Sequence, residues 1–393
     1  MPKAVMKRFT EFISSRFVAS SILLQLALTP FFAHGYDFRV SYVAGRNVAA
    51  GLSPYLGGSL DGYLSAGYGG EVQGIGETPL WPLYLGLAYM VSSGDVIIFN
   101  VLSKAPILLA NIWLAYIFYA RGFRGWKFFL VNPFLLSVSV LWGKPDNVAA
   151  LLIVLALIRI ESKLAPLILS LSMNFKPLAV PVAASLPSYI TSKKAMMKIF
   201  TVIIIASLAI FLIPFILMRW PLTTVVFGLP NWLKPVGGIS LFSIFELIFN
   251  SLTLPNELEW VGFLPILSLL FSIIYFLVRP WGPGNAVKAS LFTSLLFFSF
   301  RPWVSEQNLI LILTLLLMVG GEVRARLWGT LMTLMLLNYS LPQQLYLIWP
   351  GVIEYLRGLD AMIRPWRLLS KFLVSIILWA LLWISFLRCV KHE

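Results

Sequence analysis

The chain has 393 residues, of which 59 % are hydrophobic and only 12 % charged, with a mean hydropathy of +0.87; soluble domains carry about 25 % charged residues. That balance excludes an ordinary soluble domain, and the absence of short alternating segments argues against a strand barrel. The net charge of +14 comes without a basic patch interleaved with exposed aromatics, so nucleic acid is not expected as a partner.

Repeated apolar runs of about 20 residues point to helices that cross a bilayer, and the positive-inside rule accounts for much of the Lys and Arg excess. The lone Cys389 excludes an internal disulfide and a thiolate metal cluster, and the 14 Trp and 14 Tyr suit interfacial belts. The length suits one large helical body. The fold expected is an all-α polytopic membrane protein.

In chain order, the start MPKAVMKRFTEF is basic and no small-residue cleavage site follows its apolar run, which reads as a retained signal-anchor. A first crossing covers Phe17 to Phe32, and then the pattern breaks at HGYDFRVSYVAGRNVAAGLSPY, His34 to Tyr55. This stretch presents His34, Asp37, Arg39 and Arg46 together. Carboxylates at the edge of hydrocarbon are costly unless paired or facing water, so Asp37 is the expected centre of a membrane-embedded active site. The surrounding loop, His34 to Thr78, carries eleven glycines with Asp61, Glu71 and Glu77. Ser41 to Ala50 reads as a surface-lying helix with Asp37 just before its first turn, where the carboxylate would accept backbone N–H bonds.

Further crossings are expected from about Pro79 to Met90 and from Val96 to Tyr119. The apolar piece Phe128–Leu141 is short for a crossing and reads as re-entrant or surface-lying, at the expense of one violation of the charge rule by Arg121, Arg124 and Lys127. WGKPDN, Trp142 to Asn147, precedes an apolar run to Ile158. Leu164–Met173 and Pro177–Ile190 form a broken helix hinged at Asn174 to Pro177, a device tolerated where it lines a cavity. Lys193, Lys194 and Lys198 mark an inner face before a crossing at Ile199–Met218, and Ile239–Asn250 reads as a surface helix carrying Glu246.

Later crossings are read at Val261–Val278, Ala289–Phe300, Leu309–Val319 and Leu327–Tyr339, with basic inner loops at Arg279–Lys288 and Gly320–Arg326. RPWVSEQN, Arg301 to Asn308, falls on the same side as Asp37. A further crossing near Gln344–Ile353, a basic linker at Arg357–Lys371 and a last helix to Leu387 complete about ten to thirteen crossings.

The polar islands of that face pair as Asp37 with His34, Lys144 with Asp146, and Arg301 with Glu306, with Lys176 at a helix break. Cations suit an anionic group such as a lipid-linked phosphate, and a nearby carboxylate can take the proton from an attacking hydroxyl. Together they suffice for glycosyl transfer from a sugar-phosphate-lipid. Plainer readings stand beside this one: Lys144–Asp146 as a satisfied ion pair, Glu71 and Glu77 as solvated loop acids, Arg301 snorkelling to headgroups. No HExxH, GxSxG, GxGxxG or GxxxxGK[ST] is present, which removes support for hydrolase, dinucleotide and P-loop readings and favours a lipid-carried donor.

The islands resemble those of multi-pass glycosyltransferases of the GT-C fold, and in particular the family that adds the first mannose to the glycosylphosphatidylinositol anchor, with its archaeal relatives. YDFRV, AGR at Ala44–Arg46 and GLSPY at Gly51–Tyr55 follow the order and spacing of the family's DxDYRVF, AAR and GxSPY. ETPLWPLYLG from Glu77 is similar to YTPLL, and WGKPDN to RGSAES, with Asp146 at the glutamate. NFKPLAVP resembles FKIYPIIY and places Lys176 at its lysine; RPWVSEQN resembles KVCTSQYF and places Arg301 and Glu306 at its lysine and glutamine.

The resemblance covers residues 1–319 as a catalytic transmembrane module, with 320–393 as C-terminal helices. It implies an inverting hexosyltransferase, a mannosyltransferase first, acting on a polyprenyl- or dolichyl-phosphate sugar and a lipid or glycan acceptor among membrane lipids, with a small accessory membrane subunit as a further partner. Asp37 would be catalytic, and His34, Arg39, Arg46, Glu77, Lys144, Asp146, Lys176, Arg301 and Glu306 would bind substrate. Gly35 stands where the family has the first of two acids, a departure that bears on a divalent cofactor, magnesium or manganese; no residue is assigned to a metal. The basic excess and short loops suit a prokaryotic plasma membrane with the site facing outward. The rival readings are a secondary transporter or glycolipid flippase, whose broken helices and buried charges look alike, and a non-catalytic subunit of a glycan-assembly complex.

Overall fold

In the computed structural model, residues 3–123, 125–190, 192–226, 234–320 and 325–391 are described. Helices α1 (Lys3–Ile13) and α2 (Arg16–Leu28) meet at a 67° bend, and α3 (Gly35–Ala49) opens the polar loop. α4 (Leu80–Ser92) ends at Ser93 and Gly94, both with positive φ, and the Asp95 side chain then caps α5 (Val96–Ala120) by accepting from Ile98 N at 2.8 Å. α6 (Trp126–Val131) and α7 (Pro133–Leu136) lead into a π-helical stretch, Ser137–Trp142, and then α8 (Asp146–Ile158). α9 (Ala165–Phe175) and α10 (Ala179–Ala184) flank the Lys176–Pro177 break, followed by α11 (Lys193–Leu217) and α12 (Thr223–Val226). α13 (Ser243–Phe249), α14 (Leu264–Val278), α15 (Ala286–Ser299), α16 (Leu309–Met318), α17 (Ala325–Leu337) and the 40-residue α18 (Val352–Lys391) complete the bundle.

The chain is mostly helical, 73 %. By length and composition four helical stretches among the described residues can cross a membrane: Val96–Ala120, Lys193–Leu217, Asn256–Val278 and Val352–Val390. Two bent pairs, α1 with α2 and Pro133–Trp142 with Asp146–Ile158 (118°), raise the number to six. The ten to thirteen crossings read from the sequence counted several short apolar runs as crossings. Instead, five of the runs form helices of 10–17 residues, shorter than the about 20 residues a crossing needs.

The boundaries of the central elements follow the sequence closely, with three corrections. First, α3 starts at Gly35, six residues before the expected Ser41, so Asp37 lies inside its first turn and not ahead of it. Second, Gln344–Ile353 is not a crossing, because Pro350 and Gly351 break it into turns, and the supposed linker Arg357–Lys371 is helical within α18. Third, the surface helix at Ile239–Asn250 shrinks to α13, and its Glu246 is buried against Lys371. Of the basic cluster read at 121–127, Arg124 lies outside the described residues, as do 321–324 of the inner loop before α17; Lys127 sits over the rings of Phe17 and Trp126.

Small residues bring the site-bearing helices close. A Cβ at Gly45 would stand 2.8 Å from Leu85 O and one at Gly86 2.3 Å from Val48 Cγ1, so α3 and α4 pack backbone against backbone. Beyond α3 an antiparallel ribbon, β1 (Gly58–Ser59) with β2 (Glu71–Val72), closes the loop. A parallel pair, β3 (Gly237–Gly238) with β4 (Trp303–Val304), brings the segment before α13 beside the RPWVSEQN island. The C-terminal part is woven into this face: Tyr346, fully buried, donates to Leu64 O at 2.8 Å, Tyr68 donates to Gln343 Oε1 at 2.6 Å, and Ala33 N donates to Gln344 O at 3.0 Å.

Candidate functional site

Three chain turns converge on Asp37. The first, at the end of α2, is fixed by α5: Asn100 Nδ2 donates to Thr29 O (2.7 Å), Phe32 O (3.1 Å) and Pro30 O (3.2 Å). Lys104, one helical turn along and fully buried, donates to Phe32 O at 2.5 Å, to Thr29 O at 3.4 Å and to Leu141 O at 3.3 Å. One ammonium thus ties the turn before α3 to the π-helical stretch that ends at Trp142. Gly143 follows with φ +86, and a Cβ there would stand 2.8 Å from Lys104 Cε. The turn therefore needs glycine both for its backbone and for the lysine beneath it.

At the centre, Trp142 Nε1–H donates to Asp37 Oδ2 at 2.7 Å, and the Lys144 ammonium lies 2.7 Å from Asp37 Oδ1 and 2.9 Å from Glu77 Oε1. The His34 ring stacks on the Trp142 indole, 4.3 Å between centroids, with Nδ1 3.4 Å from Asp37 Oδ2. Burial alone would push the Asp37 carboxyl up. Lys144, His34 and the hydrogen bonds from Lys144 and Trp142 outweigh it and hold the group at about 2, against an ordinary 3.8. For His34 burial dominates and lowers it to about 4; Asp37 opposes this and Lys144 adds to it, so the ring is neutral at physiological pH. A cleft beside these groups is lined by Asp37, Ser41, Trp81, Asn100, Lys104 and Trp142.

The site continues through Pro145 to Asp146, in the first turn of α8 and fully buried. Lys176, at the α9–α10 break, reaches Asp146 Oδ2 at 2.5 Å, and Asn308 Nδ2 donates to Asp146 Oδ1 at 3.3 Å. Asp146 is also the charge that acts on Arg301, which is half-buried. A chain of buried amides holds α8 in place: Asn147 Nδ2 donates to Asn111 Oδ1, and Asn111 Nδ2 donates to Ser139 Oγ at 2.9 Å and Gln25 Oε1 at 3.2 Å.

The expected pairings are therefore rearranged. Lys144 pairs with Asp37 and Glu77 and not with Asp146, because Gly143 and Pro145 turn it toward α3 while Asp146 projects from α8 toward Lys176. Glu77, read as a possible solvated acid, is a partner at the centre. Glu306 does not pair with Arg301; it accepts from Ser340 Oγ at 2.7 Å and Asn338 Nδ2 at 2.8 Å. Asp37 is held by Trp142 and Lys144 in place of the expected backbone N–H groups.

Arg39 and Arg46 serve the loop. Arg39 donates to Gly69 O and stacks over Tyr68, and Arg46 donates to Ser59 O at 3.0 Å. Each lies on α3 facing the ribbon. The sequence reading passed over Trp142, Lys104 and Asn308. Lys104 had a visible signal, an ionisable residue in the middle of a 25-residue apolar helix.

The divalent ion raised by the resemblance does not fit these residues. The space that an acid at position 35 would need is taken: a Cβ on Gly35 would lie 2.8 Å from the Tyr68 ring and 2.9 Å from the Tyr346 ring. Between the two carboxylates that do meet, Asp37 and Glu77, stands the Lys144 ammonium. Among the described residues no group of three or more His, Cys, Asp or Glu is placed to hold a metal. No protein-family model matches the chain, and no curated protein matches its sequence. Function has to be read from the site.

Proposed function

We propose that the protein is a membrane glycosyltransferase, a mannosyltransferase in the first instance, that moves a sugar from a polyprenyl-phosphate carrier to a hydroxyl of a lipid- or glycan-linked acceptor. One observation carries this reading: a carboxylate, Asp37, pairs with Lys144, and two residues further along the chain from Lys144 a fully buried Asp146 pairs with Lys176 and acts on Arg301, so acids and cations gather at the ends of apolar helices. A prokaryotic plasma membrane with the cluster facing outward agrees with the charge distribution.

In the proposed reaction the acceptor oxygen attacks the anomeric carbon as its proton passes to an Asp37 carboxylate oxygen. The bond from that carbon to the phosphate oxygen breaks, and the electron pair leaves with the lipid phosphate, so the configuration inverts. Lys144, Lys176 and Arg301 stabilise the charge that develops on the departing phosphate. No group opposite the base has to supply a proton, because the phosphate leaves as an anion. The hydrogen bond from Trp142 fixes the orientation of the carboxylate, and the His34 ring stacks on that indole. No step passes through a metal.

The test is to offer purified protein in lipid nanodiscs polyprenyl-phosphate sugars and nucleotide sugars in parallel, each with glycolipid acceptors. Transfer from the lipid-carried donor is expected; turnover with nucleotide sugar alone would overturn the reading. A flippase is the second reading, favoured by the 118° break in the pair Pro133–Trp142 and Asp146–Ile158, with Lys144 at the break. It would be supported by movement of labelled glycolipid across a vesicle bilayer without any new glycosidic bond.

A further inference from the structure

Lys144 is bound on both sides. Its ammonium bridges Asp37 Oδ1 and Glu77 Oε1, its side chain is 10 % exposed, and it occupies the position between two acids that a divalent ion would otherwise take. A lysine differs from a metal ion in one respect: it sits on a flexible four-carbon stem and can change partners. Asp37 is the more exposed member of the first pair, at 21 % of its side chain, so the bridge lies at the open edge of the cluster. In the resting arrangement both of the carboxylate's oxygens are engaged, by Lys144 and by Trp142, and each is a weaker base for it.

We infer that Lys144 is a resident, movable cation that holds Asp37 and Glu77 in check in the empty site and transfers to the phosphate of the arriving donor, freeing Asp37 Oδ1 to act as a base. The inference rests on the function proposed above and deepens it, since it makes base strength depend on donor occupancy. The ligand chemistry is a lipid-linked phosphate, a diester in the sugar-loaded donor and a monoester in the sugar-free carrier. Asp37, Glu77 and the phosphate compete for one ammonium, which is the opposite of what a purely supportive carboxylate would do. Removing either acid's charge therefore strengthens phosphate binding, and at Asp37 it also removes catalysis. The same competition protects the site from water, because an Asp37 held by Lys144 is a poor base and an activated hydroxyl appears only beside a donor.

The experiment measures equilibrium binding of sugar-free polyprenyl phosphate, and separately of inorganic phosphate, to the full-length protein in nanodiscs. The proteins compared are the wild type, Asp37→Asn, Glu77→Gln, Lys144→Met and the double variant Asp37→Asn/Lys144→Met. A charge-assisted hydrogen bond lost by the competing acid corresponds to a change of about tenfold. Asp37→Asn and Glu77→Gln are each expected to bind polyprenyl phosphate about tenfold more tightly, and Lys144→Met more weakly by a similar factor. The double variant is expected to bind like Lys144→Met.

Inorganic phosphate should follow the same order at lower affinity; tightening seen with it alone would show a free-phosphate site and overturn the donor assignment. Unchanged or weaker binding in both acid variants, with wild-type binding intact, would overturn the exchange while leaving the glycosyltransferase reading in place. Absence of binding by the wild type would overturn the donor reading and the exchange with it. Glu77→Gln decides the matter if Asp37→Asn fails to fold.

Discussion

Replacing Lys176 by Met removes one half of a buried ion pair. Lys176 Nζ lies 2.5 Å from Asp146 Oδ2, and the carboxylate side chain has no exposed surface. Deleting one partner of such a pair typically costs about 3–5 kcal/mol, because the remaining charge stays in a low-dielectric interior. Two neighbours soften the loss here: Asn308 Nδ2 still donates to Asp146 Oδ1 at 3.3 Å, and Arg301 acts on the same carboxylate. The expected cost of Lys176→Met is therefore about 3 kcal/mol, at the lower end of that range. Asp146→Asn leaves a lysine that is 12 % exposed and can recover some solvation, so about 2–3 kcal/mol is expected. The double variant removes both charges, and its cost should fall short of the sum by about 2 kcal/mol or more. Reversible unfolding in mixed detergent micelles, followed by near-ultraviolet circular dichroism, measures all four corners of the cycle. Additivity within about 0.5 kcal/mol would refute the claim that these two charges form a coupled pair.

The remaining predictions concern the surroundings of Asp37. Gly35→Asp, which places an acid beside Asp37 on α3, is expected to lower stability by about 1–3 kcal/mol through overpacking against Tyr68 and Tyr346 and to give no divalent-metal binding by calorimetry. Lys104→Met should leave stability within about 2 kcal/mol, since desolvating an ammonium offsets its three carbonyl bonds, yet transfer should fall about 100-fold as the turns carrying Asp37 and Lys144 shift. Wild-type transfer by this variant would show that Lys104 does not position the site. Both His34 and Asp37 are held below their ordinary values, so the folded state binds fewer protons than the unfolded one. Stability should therefore decline on acidification, first as His34 contributes between 6.5 and about 4 and then as Asp37 does between 3.8 and about 2. His34→Gln should flatten the upper part of that decline in a pH series of melting temperatures.

Much of the helical layout was legible because apolar runs bounded by Gly, Pro and charge translate directly into helices: α4, α5, the break at Lys176–Pro177, α11 and α15 to α17 lie close to where composition puts them. Which of them cross was not legible, because length along the chain does not reveal a bend; the 118° turn at Gly143–Pro145 joins the short piece before it and the apolar run after it into one bent pair. Of the site, the acids and cations could be named from the islands, but their partners could not. Lys144 and Asp146 are separated by one residue, and pairing them was the natural expectation from sequence distance. A left-handed glycine on one side and a proline on the other aim them at different helices. Arg39 and Arg46 look like phosphate ligands in a motif, yet the carbonyls of the ribbon claim them first. The crowding at Gly35 was beyond the reach of the sequence, because one of the rings that fills the space, Tyr346, comes from the far end of the chain.

That last contact bears on how the protein is made. Tyr346, Gln343 and Gln344 complete the wall around the first polar loop, and they leave the ribosome after every other residue of the site. Until then Gly35 faces a gap, and the turn at Ala33 lacks the carbonyl that anchors it. The loop can be assembled only when the chain has been made at least through residue 346, so the competent site is a late product of synthesis. A nascent chain stalled earlier would carry the cations and carboxylates around Asp37 and Asp146 without the C-terminal residues that wall the loop.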